Sequence, residues 1–149
     1  MADFAAIADA IAARFLGTTP PTGQPAIRAA YGSELPNAVT ITPCLLVFEP
    51  DDEWTASGSA TRRGTLTYGC YLVLGQADQP RTSKAMLDWR TALLSRLDGQ
   101  VHLGLSASGV GPAVVTKTGS GKLTYSEQEW SGVSITVVVT VTEGATFDG

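Results

Sequence analysis

The chain reads as an α+β protein, a mostly antiparallel sheet with two helices packed on one face, and three observations lead there. The first is the run Val133-Ser134-Ile135-Thr136-Val137-Val138-Val139-Thr140-Val141-Thr142, in which nine of ten residues are β-branched and aliphatics alternate with hydroxyls. Branching at Cβ favours extended backbone, and a period of two sends Val133, Ile135, Val137, Val139 and Val141 to one side of a sheet. The second is a pair of segments, 4–15 and 83–98, whose apolar residues recur at helical spacing. The third is what lies between them: β-prone runs broken by turn residues, without the regular strand–helix alternation of a parallel sheet.

Each element has a local reason. Asp3 caps a helix whose apolar face is Phe4, Ile7, Ile11 and Phe15, with Ala8 and Ala12 between them and Gly17 as its stop. Thr18-Thr19-Pro20-Pro21-Thr22-Gly23 is a short linker. Ala26 to Tyr31 reads as a modest strand, and Gly32 to Asn37 as a turn. Ala38 to Glu49 is apolar and β-prone, but Pro43 lacks an N–H for a ladder and marks an edge, a bulge or a boundary between two strands. From Glu49 to Arg63 a long loop or splayed hairpin is expected. Alternation returns at Thr65 to Leu74, with Leu66, Tyr68, Cys70, Leu72 and Leu74 on one face.

A second helix is expected from Ser83 to Asp98, ending at Gly99. Met86, Trp89, Leu93 and Leu97 form its stripe, and Leu87 and Leu94 widen the apolar side. A strand near Ala113 to Lys117, a turn at Thr118-Gly119-Ser120-Gly121 and an extended piece from Leu123 to Tyr125 lead to the closing strand. No internal repeat or boundary divides residues 1–149, so a single domain is expected. That length buries roughly 68–70% of the unfolded surface, enough for one core. Both helices are expected on the aliphatic face of the closing strand. Its hydroxyl face, interrupted by Val138, suits a surface that meets water in one state and protein in another.

Composition narrows the function. The formal net charge is −4 and the ten basic residues form no long run, so binding through phosphate neutralisation is not the expected task. Met1-Ala2-Asp3-Phe4 lacks the basic start of a signal peptide, and no run of about 20 apolar residues spans a bilayer. Folding in the cytoplasm and no membrane partner are therefore expected. Cys44 and Cys70 lie in apolar, strand-like context and read as small hydrophobes rather than a disulfide.

The search for catalytic sets turns up near-misses. His102 is the only histidine, which removes HExxH and any two-histidine metal site within one chain. Thr118-Gly119-Ser120-Gly121-Lys122 approaches a phosphate loop, but the pattern needs Gly at 116 and Ser or Thr at 123, where Thr116 and Leu123 stand. Gly104-Leu105-Ser106-Ala107-Ser108 lacks the second glycine of a nucleophile elbow, and Gly109-Val110-Gly111-Pro112 does not extend to a dinucleotide fingerprint. Both read as flexible connection. No cofactor, metal ligand or catalytic residue is assigned, and no enzyme is expected.

The remaining cluster is Glu49, Asp51, Asp52 and Glu53, which lacks the alternating ligands and glycine of a calcium loop. Arg62 and Arg63 close the same segment, so acid stands on one arm and base on the other. Asp51, Asp52, Glu53, Trp54, Arg62 and Arg63 are the candidate subunit or partner interface, with Trp54 either an anchor or a lid on the sheet edge.

In order of elements the chain resembles the tail terminator, or tail completion, proteins of long non-contractile-tailed bacteriophages. The resemblance runs through the helix Asp3 to Leu16, Leu35-Pro36-Asn37-Ala38 leading to Pro43-Cys44-Leu45-Leu46-Val47, and the strand Thr65 to Leu74. It continues through the helix with Trp89 and Leu93, Tyr125, and Trp130-Ser131-Gly132-Val133 before the last strand. A departure is the length of the Glu49 to Arg63 segment. The resemblance implies a homo-hexameric ring that caps the head-proximal end of the tail tube, with the tube protein and a neck or head completion protein as partners. It also implies a virion location after assembly in the host cytoplasm, and a lumen that DNA passes without specific binding. Another neck or tail tube component, or a small-ligand-binding or enzymatic helix-covered sheet domain, is the alternative.

Overall fold

The structure, a computed structural model, describes residues 3–56, 61–76, 83–98, 103, 105 and 109–144. Helix α1 (Phe4–Leu16) leads to strands β1 (Ala29–Tyr31), β2 (Cys44–Val47), β3 (Asp51–Ala56) and β4 (Thr61–Gln76). Helix α2 (Ser83–Leu94) and strands β5 (Val110–Tyr125) and β6 (Gln128–Gly144) complete the chain. The six strands form one sheet in the order β1-β2-β4-β6-β5, with β3 beside β2 along the same edge of β4. All pairings are antiparallel except β1 with β2. The α+β class with both helices on one face therefore holds.

Burial follows the period-two pattern. Val133, Ile135, Val137, Val139 and Val141 are buried in one cluster with Leu66, Tyr68, Cys70 and Leu72 of β4. The same cluster holds Ile7, Ile11 and Phe15 of α1, Met86, Trp89 and Leu93 of α2, and Leu97. Helix α1 lies over β1 and β2, and α2 over β5 and β6, so the two divide the sheet between them. Asp3 caps α1 as its sequence predicts, accepting from the Ala6 N–H at 3.1 Å. At the other end Arg96 donates to the Arg14 carbonyl at 2.7 Å, and a side chain at Gly17 would collide with that guanidinium.

The opposite face carries a smaller core of Cys44, Leu46, Tyr71, Val73 and Trp130. Parallel neighbours need a crossover, here residues 32–43, and its path is fixed by two contacts. Val39 packs on this second core, and the Pro36 carbonyl accepts from the Tyr125 hydroxyl. Pro36 and Val39 thus bring the crossover across the face away from the helices as far as Tyr125 at the end of β5.

Several expectations are corrected. The first strand is Ala29–Tyr31 rather than Ala26 to Tyr31, and Ala38 to Glu49 contributes only Cys44–Val47, Pro43 lying just outside it. Helix α2 stops at Leu94, where short turns from Arg96 N–H to the Leu93 carbonyl and Asp98 N–H to the Ser95 carbonyl replace helical bonding while Leu97 stays buried. Leu87 and Leu94 do not widen the buried side: they are 55% and 50% exposed. The expected turn at Thr118 to Gly121 is the middle of β5, and Val110 to Pro112 begins that strand. The reversal comes instead at Ser126 and Glu127, with φ of 53° and 65°, between the paired Tyr125 and Gln128. Glycines prompt the wrong turn assignment, whereas the two-residue turn uses side chains that seldom mark one.

Candidate assembly surface

The segment from Glu49 to Arg63 is ordered as strand for most of its length. Asp51 pairs with Thr67, Glu53 with Thr65, Trp54 with Gly64, Thr55 with Arg63 and Ala56 with Arg62, so β3 and β4 form a hairpin. Alternation along β3 sends Asp52 and Trp54 to the helix side, and Asp51, Glu53 and Thr55 to the other. Of the two expected forms, a long loop or a splayed hairpin, the hairpin is the one present, and its acidic residues are divided between two faces.

On the helix side, side chains are already paired. The Trp54 indole N–H donates to Asp52 Oδ2 at 2.6 Å, and its ring stacks on Phe4 with centroids 6.4 Å apart and 10° between planes. The Arg62 guanidinium lies 4.9 Å over the same ring. Arg62 also donates from Nε to Glu143 Oε1 at 2.7 Å, forming an ion pair with a carboxylate that is almost fully buried. Gly64 makes the arrangement possible, because a Cβ there would stand 2.6 Å from the indole ring. Trp54 is therefore a half-buried lid on the sheet edge rather than a free anchor, and Arg62 is not a free base. Glu143 and Phe4 are the partners sequence reading misses; Arg62 and Glu143 are 81 residues apart and meet only through the β4–β6 register.

The other face of the hairpin is open. Asp51, Glu53, Thr55, Arg63 and Thr65 are exposed, and a shallow hollow of about 310 Å³ lies among Glu53, Thr55, Ala56, Arg63 and Thr65. The surface continues across the sheet through Thr67, Thr136, Val138 and Thr140, all partly exposed, to exposed Val114 and Lys117 on β5. One side of these strands is sealed under helices. The other is a broad sheet face of threonine and valine. No family model and no curated protein matches this chain.

Other candidate features lie apart from this surface. A groove of about 560 Å³ runs between the start of α1 and the β2–β3 joint, lined by Phe4, Ala8, Leu35, Phe48, Pro50 and Asp52 among others. Beside it Asp9 accepts from both the backbone N–H and the hydroxyl of Ser33, at 2.8 and 3.0 Å, which tethers the crossover to α1. Thr118 to Lys122 lies within a strand with no helix following, so it lacks the geometry of a phosphate loop. The Tyr71 hydroxyl instead crosses the sheet face and donates to the Gly121 carbonyl at 2.7 Å, tying this stretch of β5 to β4. Cys44 and Cys70 are free thiols in different cores, and burial pushes them up to about 11 and about 12 respectively. Burial likewise raises Tyr71 to about 12. His102 lies outside the described residues, as do Gly104 and residues 106–108.

Proposed function

We propose that this chain is a structural virion protein of the tail terminator kind, assembling as a ring that caps the head-proximal end of a phage tail tube and joins it to the neck. The observation that carries the proposal is the asymmetry of the sheet. Long strands β4, β5 and β6 are sealed on one side by both helices, while the other side presents Thr65, Thr67, Thr136, Val138, Thr140 and Val114. Such a surface tolerates water yet loses little on being covered by protein, because threonine brings both a methyl and a hydroxyl. The order of elements supports the same reading, with Trp89 and Leu93 of α2 packed on the aliphatic face of the closing strand. In this proposal the chain performs no catalysis and binds no cofactor, and the acidic net charge keeps passing DNA from adhering to the lumen.

The test is assembly and completion. Electron microscopy of the purified protein should show rings, and adding it to extracts that assemble tails without their terminator should yield tails of uniform length able to join heads. A protein that stays monomeric and never associates with tail tubes would sink the proposal. The groove beside Phe4 favours a second reading, a small-ligand-binding domain, whose signature would be saturable binding of an apolar ligand by a monomer.

A further inference from the structure

Besides the three-residue edge strand β1, two strands of the sheet are paired on one side only: β3, at the acidic hairpin, and β5, at the opposite margin. Their charges are opposite. β3 carries Asp51, Asp52 and Glu53 and no base, whereas β5 carries Lys117 and Lys122 and no acid. Lys117, Lys122, Asp51 and Glu53 are all exposed, and none makes an ion pair among the described residues. We infer that β3 of one copy pairs edge to edge with β5 of the next, continuing the sheet from subunit to subunit. The inference rests on the reading of this chain as a ring of identical copies and specifies the contact that closes it.

Strand direction and hydrogen-bond alternation both permit the seam. β3 and β6 run one way, β4 and β5 the other, so β5 beside the next copy's β3 is antiparallel. The Phe48 N–H donates to the Gly69 carbonyl and the Thr142 N–H to the Gly109 carbonyl. Counting alternation from these two bonds along the registers leaves the backbone groups of Asp52, Trp54 and Ala56 pointing outward from β3. On β5 the outward set is Thr118, Ser120, Lys122 and Thr124, consistent with Arg90 reaching the Thr118 carbonyl from outside the ladder at 3.2 Å. The first half of β5 is unsuited to pairing, because Pro112 and register shifts at Val110/Ala113 and Val115/Lys117 break its edge. From Thr118 to Tyr125 the register is unbroken.

One alignment satisfies parity, uses the unbroken half and places opposite charges face to face: Thr118 to Leu123 against Ala56 to Asp51. It sets Lys122 opposite Asp52, both on the helix side, and Gly121 opposite Glu53 on the open side. Asp52 accepts the Trp54 bond through one oxygen and keeps the other for Lys122. Because the two edges differ, the contact is heterologous and propagates into a ring instead of stopping at a dimer.

The experiment uses three variants of the full chain, with thermal melting to confirm that each is folded. K117E/K122E and D52K/E53K should each lose the wild-type assembly, with dissociation constants raised more than about tenfold. An equimolar mixture of the two should reassemble into rings of alternating copies, since every seam again joins opposite charges. The third variant, Glu53→Cys with Gly121→Cys, should crosslink neighbours into covalent ladders under mild oxidation; a Cβ at Gly121 meets open space. If wild type assembles but the charge-reversed variants assemble equally well and the cysteine pair does not crosslink, the seam is wrong while the ring reading stands. If wild type is monomeric at every concentration and salt, both fall.

Discussion

Arg62 and Arg63 are adjacent in sequence and opposite in fate. Arg62 covers Trp54 and neutralises buried Glu143, whereas Arg63 is exposed on the open face opposite Thr55 and Thr142. Arg62→Glu places two carboxylates together with one of them buried, and should lower stability by about 2–4 kcal/mol. Arg63→Glu should stay within about 0.5 kcal/mol of wild type. Urea unfolding of the two single variants separates them, and equal values would mean that the Glu143 pair contributes nothing. Trp89 offers a second residue-level test, because its side chain is fully buried and its indole N–H has no hydrogen-bond partner among the described residues. Trp89→Ala should cost about 3–5 kcal/mol, and Trp89→Phe, which forfeits no hydrogen bond, less than about 2 kcal/mol. The thiols give a pH prediction. Cys44 and Cys70 hold their protons in the folded chain up to about 11 and about 12, but near 9 when unfolded, so above pH 9 the unfolded state binds fewer protons. Stability should therefore fall as pH rises from 9 through 12. Neither thiol should react with an alkylating probe at pH 8 until denaturant is added.

Elements differ in how openly the sequence declares them. The closing strand, α1 and the stripe Met86, Trp89, Leu93 and Leu97 were legible because periodicity reports burial on one face directly. The middle of β5 was not: Thr118-Gly119-Ser120-Gly121 has the composition of a turn, and only pairing with Ile135 to Gly132 holds it extended. The β3–β4 hairpin was legible only as one of two alternatives, a long loop or a splayed hairpin, since β3 reads Asp51-Asp52-Glu53, poor strand formers that pairing with β4 overrides. Of the candidate interface residues, all six were placed near one another by sequence, but which face each takes and which are already partnered depends on register. The β5–β6 turn leads to a prediction of its own. Ser126 and Glu127 both adopt positive φ without glycine, at a cost of roughly 1–2 kcal/mol per residue in that region. Glu127→Gly relieves the strain but adds chain entropy to the unfolded state, for a net gain of roughly 0.5–1 kcal/mol. A raised melting temperature would confirm it, and an unchanged or lowered one would show that the turn is not strained.

At the scale of the whole molecule, two electrostatic effects act on assembly in opposite senses. Each copy carries a formal net charge of −4, so copies repel one another at long range. The proposed seam brings acid and base together at short range. Salt separates these effects by distance: the Debye length is about 30 Å at 0.01 M, about 8 Å at 0.15 M and about 3 Å at 1 M. Raising ionic strength from the lowest value to the physiological one should chiefly remove repulsion between whole subunits, and assembly should strengthen. Raising it further leaves little long-range repulsion to screen and weakens the short-range pairs, so assembly should decline toward 1 M. Sedimentation of wild-type protein across this range should therefore show a maximum near physiological salt. K117E/K122E, which raises the net negative charge and removes the attraction, should show only the rising limb. A wild-type curve that climbs steadily to 1 M would assign assembly to apolar contact across the threonine and valine face, and a curve that falls from the lowest salt would mean that subunit repulsion is negligible.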